Sequence, residues 1–303
     1  MSLSPACRLL VTTFGLAAAV ADLPTYAQRG TPDHPSVTVR GATYTPASIL
    51  ARNMGTAADQ STAFPPHKII GNIYYVGTRT LSSFLVVTPA GDILIDSTYE
   101  RNVPVIRASV EQLGFKFGDV KVLLGNRAHG DHQEGDAMVK QLTGAQVVAM
   151  AEDVPGLQAI KPGGKEHPID RVVHDGDRVT LGGVTLVAHL TPGHTPGGTT
   201  WTTTAQEAGR TYTVVFACSL RAPNVISTEV AAQLTHAFQV ARELPCDVPL
   251  GDHPAEYRMD EKFARVRPGA ANPFIDVAGC HQEADIQEAM FHAILAEQEQ
   301  HKP

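Results

Sequence analysis

From residue 67 onward, apolar positions fall into short runs that alternate with stretches of helical spacing. Residues 73–76, 84–88 and 92–96 are β-rich runs, and Pro89-Ala90-Gly91 between the last two reads as a hairpin turn. Residues 103–113 carry Val105, Ile106, Val110 and Leu113 at helical spacing. Residues 120–124 and 146–150 are apolar enough for buried strands, with a polar loop over 125–135 and a helix over 136–142 between them. The second half repeats the theme. Strands are predicted over 179–181 and 184–190, about the Gly182-Gly183 turn, and over 199–203, 212–217 and 247–250. A loop dense in Pro, Gly and Thr spans 191–198. Residues 228–244 read as an amphipathic helix with Val230, Leu234, Phe238 and Ala241 on one face, and 282–297 as a final helix. Strand runs in both halves, each followed by helices, predict an α/β fold of two packed sheets with helices outside. No low-complexity linker interrupts residues 67–303, so they read as one domain. Residues 28–66, rich in Pro, Thr, Ala and Gly, read as an extended arm with one short helix near 47–53.

The first 27 residues follow another pattern. Arg8 precedes an uncharged apolar stretch over 9–21, and two small-x-small sites follow, Ala19-Val20-Ala21 and Thr25-Tyr26-Ala27. That is the pattern of a secretory signal peptide, too short for a membrane span. Export follows as the expectation, most simply to a bacterial periplasm. No later stretch reaches 18 apolar residues, so no membrane association is expected. With 24 basic and 31 acidic residues and no long basic run, nucleic acid is excluded as a partner. A small-molecule substrate and a monomer remain the expectation. Cys7 leaves with the leader, which strands an odd number of thiols: Cys218, Cys246 and Cys280. One pair and one free thiol is the simplest arrangement in an oxidising compartment. A Cys246–Cys280 link would close a loop of about 34 residues, worth up to roughly 3–4 kcal/mol. Cys218 sits in an apolar strand, where a buried inert thiol is the default.

Thirteen His invite a search for metal ligands. Three loops follow three predicted strands, and each presents His: Arg127-Ala128-His129-Gly130-Asp131-His132, Thr191-Pro192-Gly193-His194-Thr195-Pro196-Gly197-Gly198, and Pro249-Leu250-Gly251-Asp252-His253-Pro254. Imidazole and carboxylate are the donors zinc takes when it keeps an open position. His129, Asp131, His132, His194 and His253 exceed the three donors of one catalytic zinc and fall one short of two such sites. In an extended segment 127, 129 and 131 point one way, with a turn at Gly130 bringing His132 around. A lone His is ordinarily a surface or core residue, and His34, His67, His167, His236, His292 and His301 are read so. Five ligand types on three loops are not.

These motifs resemble the metallo-β-lactamase superfamily, and more narrowly its subclass B3. The likeness runs over most of residues 65–285. It is carried by His129-Gly130-Asp131-His132, the His194 loop followed by Thr199-Thr200-Trp201, and Asp252-His253-Pro254. Tyr75-Val76-Gly77-Thr78, Leu81-Ser82-Ser83-Phe84-Leu85 and Asp92-Ile93-Leu94-Ile95-Asp96 add to it. Ser219, beside Cys218, matches the Ser that B3 enzymes carry where other subclasses place a zinc-binding Cys, and Cys246 and Cys280 match the B3 disulfide. The resemblance implies an αββα sandwich with one or two zinc ions at its edge and an enzyme that opens β-lactam rings with a zinc-activated water. The family pattern is His-x-His-x-Asp-His, and Arg127 stands where the first His belongs. A guanidinium has no lone pair to give. The first site keeps only His129 and His194, whereas the second keeps Asp131, His132 and His253 and is favoured. Arg127 either swings out to solvent or acts as a fixed cation beside the substrate carbonyl or carboxylate. Asp131 is the candidate to orient or deprotonate the water, and Ser219 to anchor the substrate carboxylate. Charge alone adds Arg221 as a second anchor, against the alternative of a solvated surface residue. Asp96 is expected to support a ligand from behind. Thioesterases, lactonases and a non-catalytic zinc binder are the competing readings; the absence of Asp from residues 216–219 counts against the first two.

Overall fold

The computed structural model describes residues 32–301, and the leader expected over 1–27 lies outside the described residues. A small hairpin of β1 (Val37–Val39) and β2 (Ala42–Tyr44) leads into helix α1 (Pro46–Met54). Thr45 caps that helix. Its hydroxyl accepts the Ser48 N–H and the Ser48 hydroxyl accepts the Thr45 N–H, which satisfies two donors that a helix start leaves free.

Seven strands then form one sheet in chain order: β3 (His67–Ile70), β4 (Ile73–Tyr75), β5 (Phe84–Thr88), β6 (Gly91–Ile95), β7 (Val120–Leu124), β8 (Gln146–Met150) and β9 (Arg171–Val173). From β6 to β9 the neighbours are parallel. Parallel neighbours need crossovers, supplied by α2 (Val103–Gln112), by α3 (Gly130–Gln133) with α4 (Asp136–Thr143), and by α5 (Val154–Ala159). The second sheet takes β10 (Arg178–Leu181), β11 (Val184–Leu190), β12 (Thr199–Glu207) and β13 (Arg210–Ala217) antiparallel. After the crossover α6 (Thr228–Glu243), β14 (Val248–Gly251) lies parallel to β13. Helices α7 (Met259–Ala264) and α8 (Gln282–Gln300) complete the described chain.

The inner faces of the two sheets share one core, where Ile73, Phe84, Ile95 and Leu124 meet Leu186, Trp201, Val214 and Phe216. Helix α2 brings Val103, Ile106 and Val110, and α4 brings Val139, against Leu85, Leu94 and Leu123 on the outer face of the first sheet. On the far side α1, α6 and α8 join through Ile49, Leu234, Phe238, Ile286 and Phe291. The result is the expected helix–sheet–sheet–helix sandwich. Trp201 is fully buried, and its indole N–H donates to the Gly125 carbonyl at 3.0 Å. It thereby joins the second sheet to the exit of β7.

Seven elements escaped the pattern of the sequence: β1, β2, β3, β9, α3, α5 and α7. β3 and β9 are the two edges of the seven-stranded sheet, short and mixed in polarity because each pairs on one side only. Helices α5 and α7 are six residues each, too short to display a period. The segment 125–135, expected as loop throughout, contains α3. No helix among the described residues is long and apolar enough to cross a membrane.

Cys246, just before β14, is joined to Cys280, just before α8. Cys218 lies one residue past β13 and is buried and free. Burial pushes its thiol up to about 12, so the reactive thiolate is scarce at neutral pH. A chain starting at Gln28 is expected to resist a thiol reagent at pH 8 while folded and to expose one thiol per chain in denaturant. Labelling of the native protein at the rate of a free thiol would contradict that burial.

Candidate metal centre

The centre forms where β7, the β11–β12 connection and β14 end on the same side of the sandwich. After β7 the chain passes Gly125, where any Cβ would collide with the Gln133 side chain. The Gln133 amide donates to the Arg127 carbonyl at 2.8 Å. The chain then turns into α3, with the His132 and Gln133 N–H groups both donating to the His129 carbonyl at 3.1 and 3.0 Å. The turn expected at Gly130 is a single helical turn over 130–133, which starts directly after the extended His129. That turn sets Asp131 beside its neighbour: Asp131 Oδ2 lies 3.1 Å from His132 Nε2.

His253 arrives from β14, the other sheet. Its Nε2 is 3.9 Å from Asp131 Oδ2, and its ring stands 5.2 Å from that of His132, edge to face. The donor atoms of Asp131, His132 and His253 lie within 4.8 Å of one another. Among the described residues this is the one grouping of three or more His, Cys, Asp or Glu donors close enough to share an ion. The ring orientations fit a metal. His132 Nδ1 faces Asp96 Oδ2 at 3.0 Å and His253 Nδ1 faces the Thr80 carbonyl at 2.9 Å. Both partners accept only, so Nδ1 carries the proton and Nε2 keeps its lone pair. Among the described residues His132 Nε2 is buried without a hydrogen-bond partner, with Asp131 Oδ2 beside it at 3.1 Å. Asp96 accepts the Asn126 N–H on its other oxygen at 2.9 Å and so fixes the His132 ring to the loop that carries it.

His129 and His194 pair separately, with ring centroids 4.9 Å apart. His194 gives Nδ1–H to the Arg221 carbonyl at 2.9 Å. No third donor joins them, because position 127 is Arg. Arg127 turns inward and is 3% exposed. One terminal nitrogen is hydrogen-bonded to Asp252, the other lies 2.9 Å from His253 Nε2, and Asp131 is 3.8 Å away. Only Nε is left without a partner. This guanidinium is already engaged, which removes the solvent-facing alternative and leaves it little to offer a substrate.

The charges follow from this geometry. Burial raises the Asp131 carboxyl, but His132, Arg127 and His253 outweigh it and hold it well below the usual carboxylate range. Burial, then Arg127, pushes His129 down to about 3 and His194 well below the ordinary imidazole value. Burial lowers His253 to about 4, with Arg127 adding to the effect. For His132, burial and Arg127 pull downward, and the Asp131 and Asp96 carboxylates outweigh them and raise it.

The roles of three supporting groups went unread in the sequence. Asp252 holds Arg127 and accepts the Ser219 N–H at 3.1 Å. The available signal was that a buried guanidinium needs an acid, and that Asp252 adjoins His253. Asp153, on the turn after β8, accepts from Ala128 N–H (2.8 Å), Thr195 hydroxyl (2.8 Å) and Gly197 N–H (2.7 Å), and so clamps the first His loop to the second. The Thr80 carbonyl orients His253 from a turn 173 residues away. Of the expected substrate groups, the buried Ser219 hydroxyl accepts the Arg221 N–H at 3.4 Å. Arg221 is half-buried and its guanidinium makes no ion pair among the described residues. Burial, with Arg127 nearby, lowers its pKa, the condition of a cation short of an anion.

No protein-family model matches the chain. Solved structures do. The FEZ-1 metallo-β-lactamase of Legionella gormanii is 39% identical at a TM-score of 0.76, over 79% of this chain and 98% of that one. BJP-1, a subclass B3 metallo-β-lactamase of Bradyrhizobium japonicum, is 35% identical at 0.75, over 80% and 97%. A hydroxyacylglutathione hydrolase of Rhodospirillum rubrum is 36% identical over 125 residues, which span 41% of this chain and 40% of that protein.

Proposed function

Since the chain belongs to the metallo-β-lactamase superfamily and is most similar to its subclass B3, we propose that it hydrolyses the β-lactam amide bond with one zinc ion at Asp131, His132 and His253. The observation that carries the reading is the 39% identity across 98% of a metallo-β-lactamase, with this donor trio intact. Zinc held there would supply a water of lowered pKa and a positive charge for the developing oxyanion.

The chain's own residues do the rest. Asp96 and the Thr80 carbonyl orient the two imidazoles. Asp131, held anionic, takes a proton from the attacking water, whose oxygen bonds the lactam carbonyl carbon. The C–N bond breaks, and that proton passes to the departing nitrogen. Arg221, the cation with no anionic partner among the described residues, meets the carboxylate that β-lactam antibiotics carry. Arg127 contributes a fixed positive field rather than a substrate contact, because its terminal nitrogens face Asp252 and His253. The apolar leader over 9–21 and the Cys246–Cys280 pair support export to an oxidising compartment such as the periplasm.

The match to hydroxyacylglutathione hydrolases favours a second reading, thioester hydrolysis. No Asp occurs in residues 216–219, the segment where the resemblance would place a metal-bridging acid in such enzymes. One assay separates the readings. The chain from Gln28, with saturating zinc, is expected to open meropenem, to lose that activity in EDTA, and to leave a hydroxyacylglutathione thioester intact. The reverse preference, or meropenem turnover that survives EDTA, contradicts the proposal.

A further inference from the structure

The donor trio already has a cation against it. His253 Nδ1–H is committed to the Thr80 carbonyl, so Nε2 holds the one lone pair of that ring, and Arg127 lies on it at 2.9 Å. A metal needs that same lone pair. Nor is the guanidinium a loose visitor. Its other terminal nitrogen is paired with Asp252, and the same Asp252 oxygen is tied to the Ser219 N–H. A planar fork fixed at one prong has its second prong aimed.

We infer that Arg127 is a resident cation that competes with zinc for His253 and stands in for zinc in the metal-free protein. This rests on the metal-site reading above. Two effects follow. Zinc binding must displace a charge-assisted contact and tolerate a positive neighbour, so affinity is lowered. The metal-free centre is stabilised, because Asp252 keeps a buried positive partner that it would otherwise lack, and Asp131 keeps one beside His132.

The test uses the mature chain from Gln28 and reads zinc affinity by chelator competition and the melting temperature of the metal-free protein. Arg127→Gln is expected to bind zinc about tenfold tighter than the parent, the worth of one charge-assisted hydrogen bond. Its metal-free form should melt at a lower temperature. Arg127→Lys keeps the charge but gives up the fork, and its affinity should fall between those of the parent and the Gln variant. Should Arg127→Gln not fold, the double variant Arg127→Gln, Asp252→Asn removes both members of the buried pair together and should also bind zinc more tightly. Zinc affinities of the parent and Arg127→Gln within about twofold, or a metal-free Arg127→Gln protein as stable as the parent, overturn the inference alone. So does an Arg127→Lys variant that binds zinc as weakly as the parent, since charge without the fork would then suffice. Failure of every variant and the parent to bind zinc overturns the metal-site reading, and this inference with it.

Discussion

Replacing Asp131 with Asn is expected to abolish stoichiometric zinc binding and lactam hydrolysis together. Asp131 is the one anion of the donor trio, and His132, Arg127 and His253 keep it ionised against the pull of burial. Asn preserves the shape but discards the charge. It also brings an amide NH2 that can compete with a metal for the His132 and His253 lone pairs. Loss of an outer-sphere partner typically costs 10–100-fold in metal affinity, so loss of a direct anionic donor should exceed about a hundredfold. Equilibrium dialysis against zinc and turnover of meropenem, on a variant with native circular dichroism, measure both. One tight zinc per chain in that variant would rule Asp131 out as a ligand.

The second large effect lies outside the donor set. Asp153→Ala is expected to lower the melting temperature by on the order of 10 °C, with a zinc-loading defect that follows from it. The carboxylate takes three hydrogen bonds, two of them from backbone N–H groups of loops that carry His129 and His194. Gly197 packs so closely on Asp153 that no side chain fits between them. Water has little room to replace the lost oxygens, and each orphaned buried donor costs about 1–3 kcal/mol. Their sum is roughly 3–9 kcal/mol, and the lower half of that range corresponds to about 10 °C for a domain of this size. Calorimetry of parent and variant, both metal-free, isolates the effect. A melting temperature within a degree or two of the parent would mean that the loops hold each other without the clamp.

The layered fold was legible because both sheets have interior strands with strong apolar runs, such as Leu85, Val86 and Val87 in β5 or Val122, Leu123 and Leu124 in β7. The edges β3 and β9 were not, since His67, Lys68 and Arg171 leave only two apolar residues in a row in each. The candidate ligands stood out for a different reason: His and Asp clustered on three turns have no packing role that would put them there. What the sequence left open was the direction of Arg127. Its partner Asp252 is 125 residues away, and no local pattern relates the two. The same holds for Asp153, which joins segments 25 and 42 to 44 residues distant. Helix α3 was hidden because a glycine and three polar residues have no apolar face; its turn is set by Gln133 and the His129 carbonyl rather than by propensity. The relation of Asp131 to His132 depends on that turn, whose place at Gly130 the pattern indicated but whose helical form it did not.

Asp131 and His132 belong to the seven-stranded sheet, and His253 to the five-stranded one. An ion shared by all three can be held only while the two sheets are docked, and it has no comparable site on the unfolded chain. If zinc binds as proposed, metal supply would be coupled to folding: free zinc at a hundred times its dissociation constant would add about 2.7 kcal/mol to stability. Arg127 and Asp252 span the same two sheets without any ion. A chain built this way keeps a bridge across its sheets under zinc scarcity, and its susceptibility to proteases should vary less with metal supply than that of a protein whose sheets are joined by metal alone.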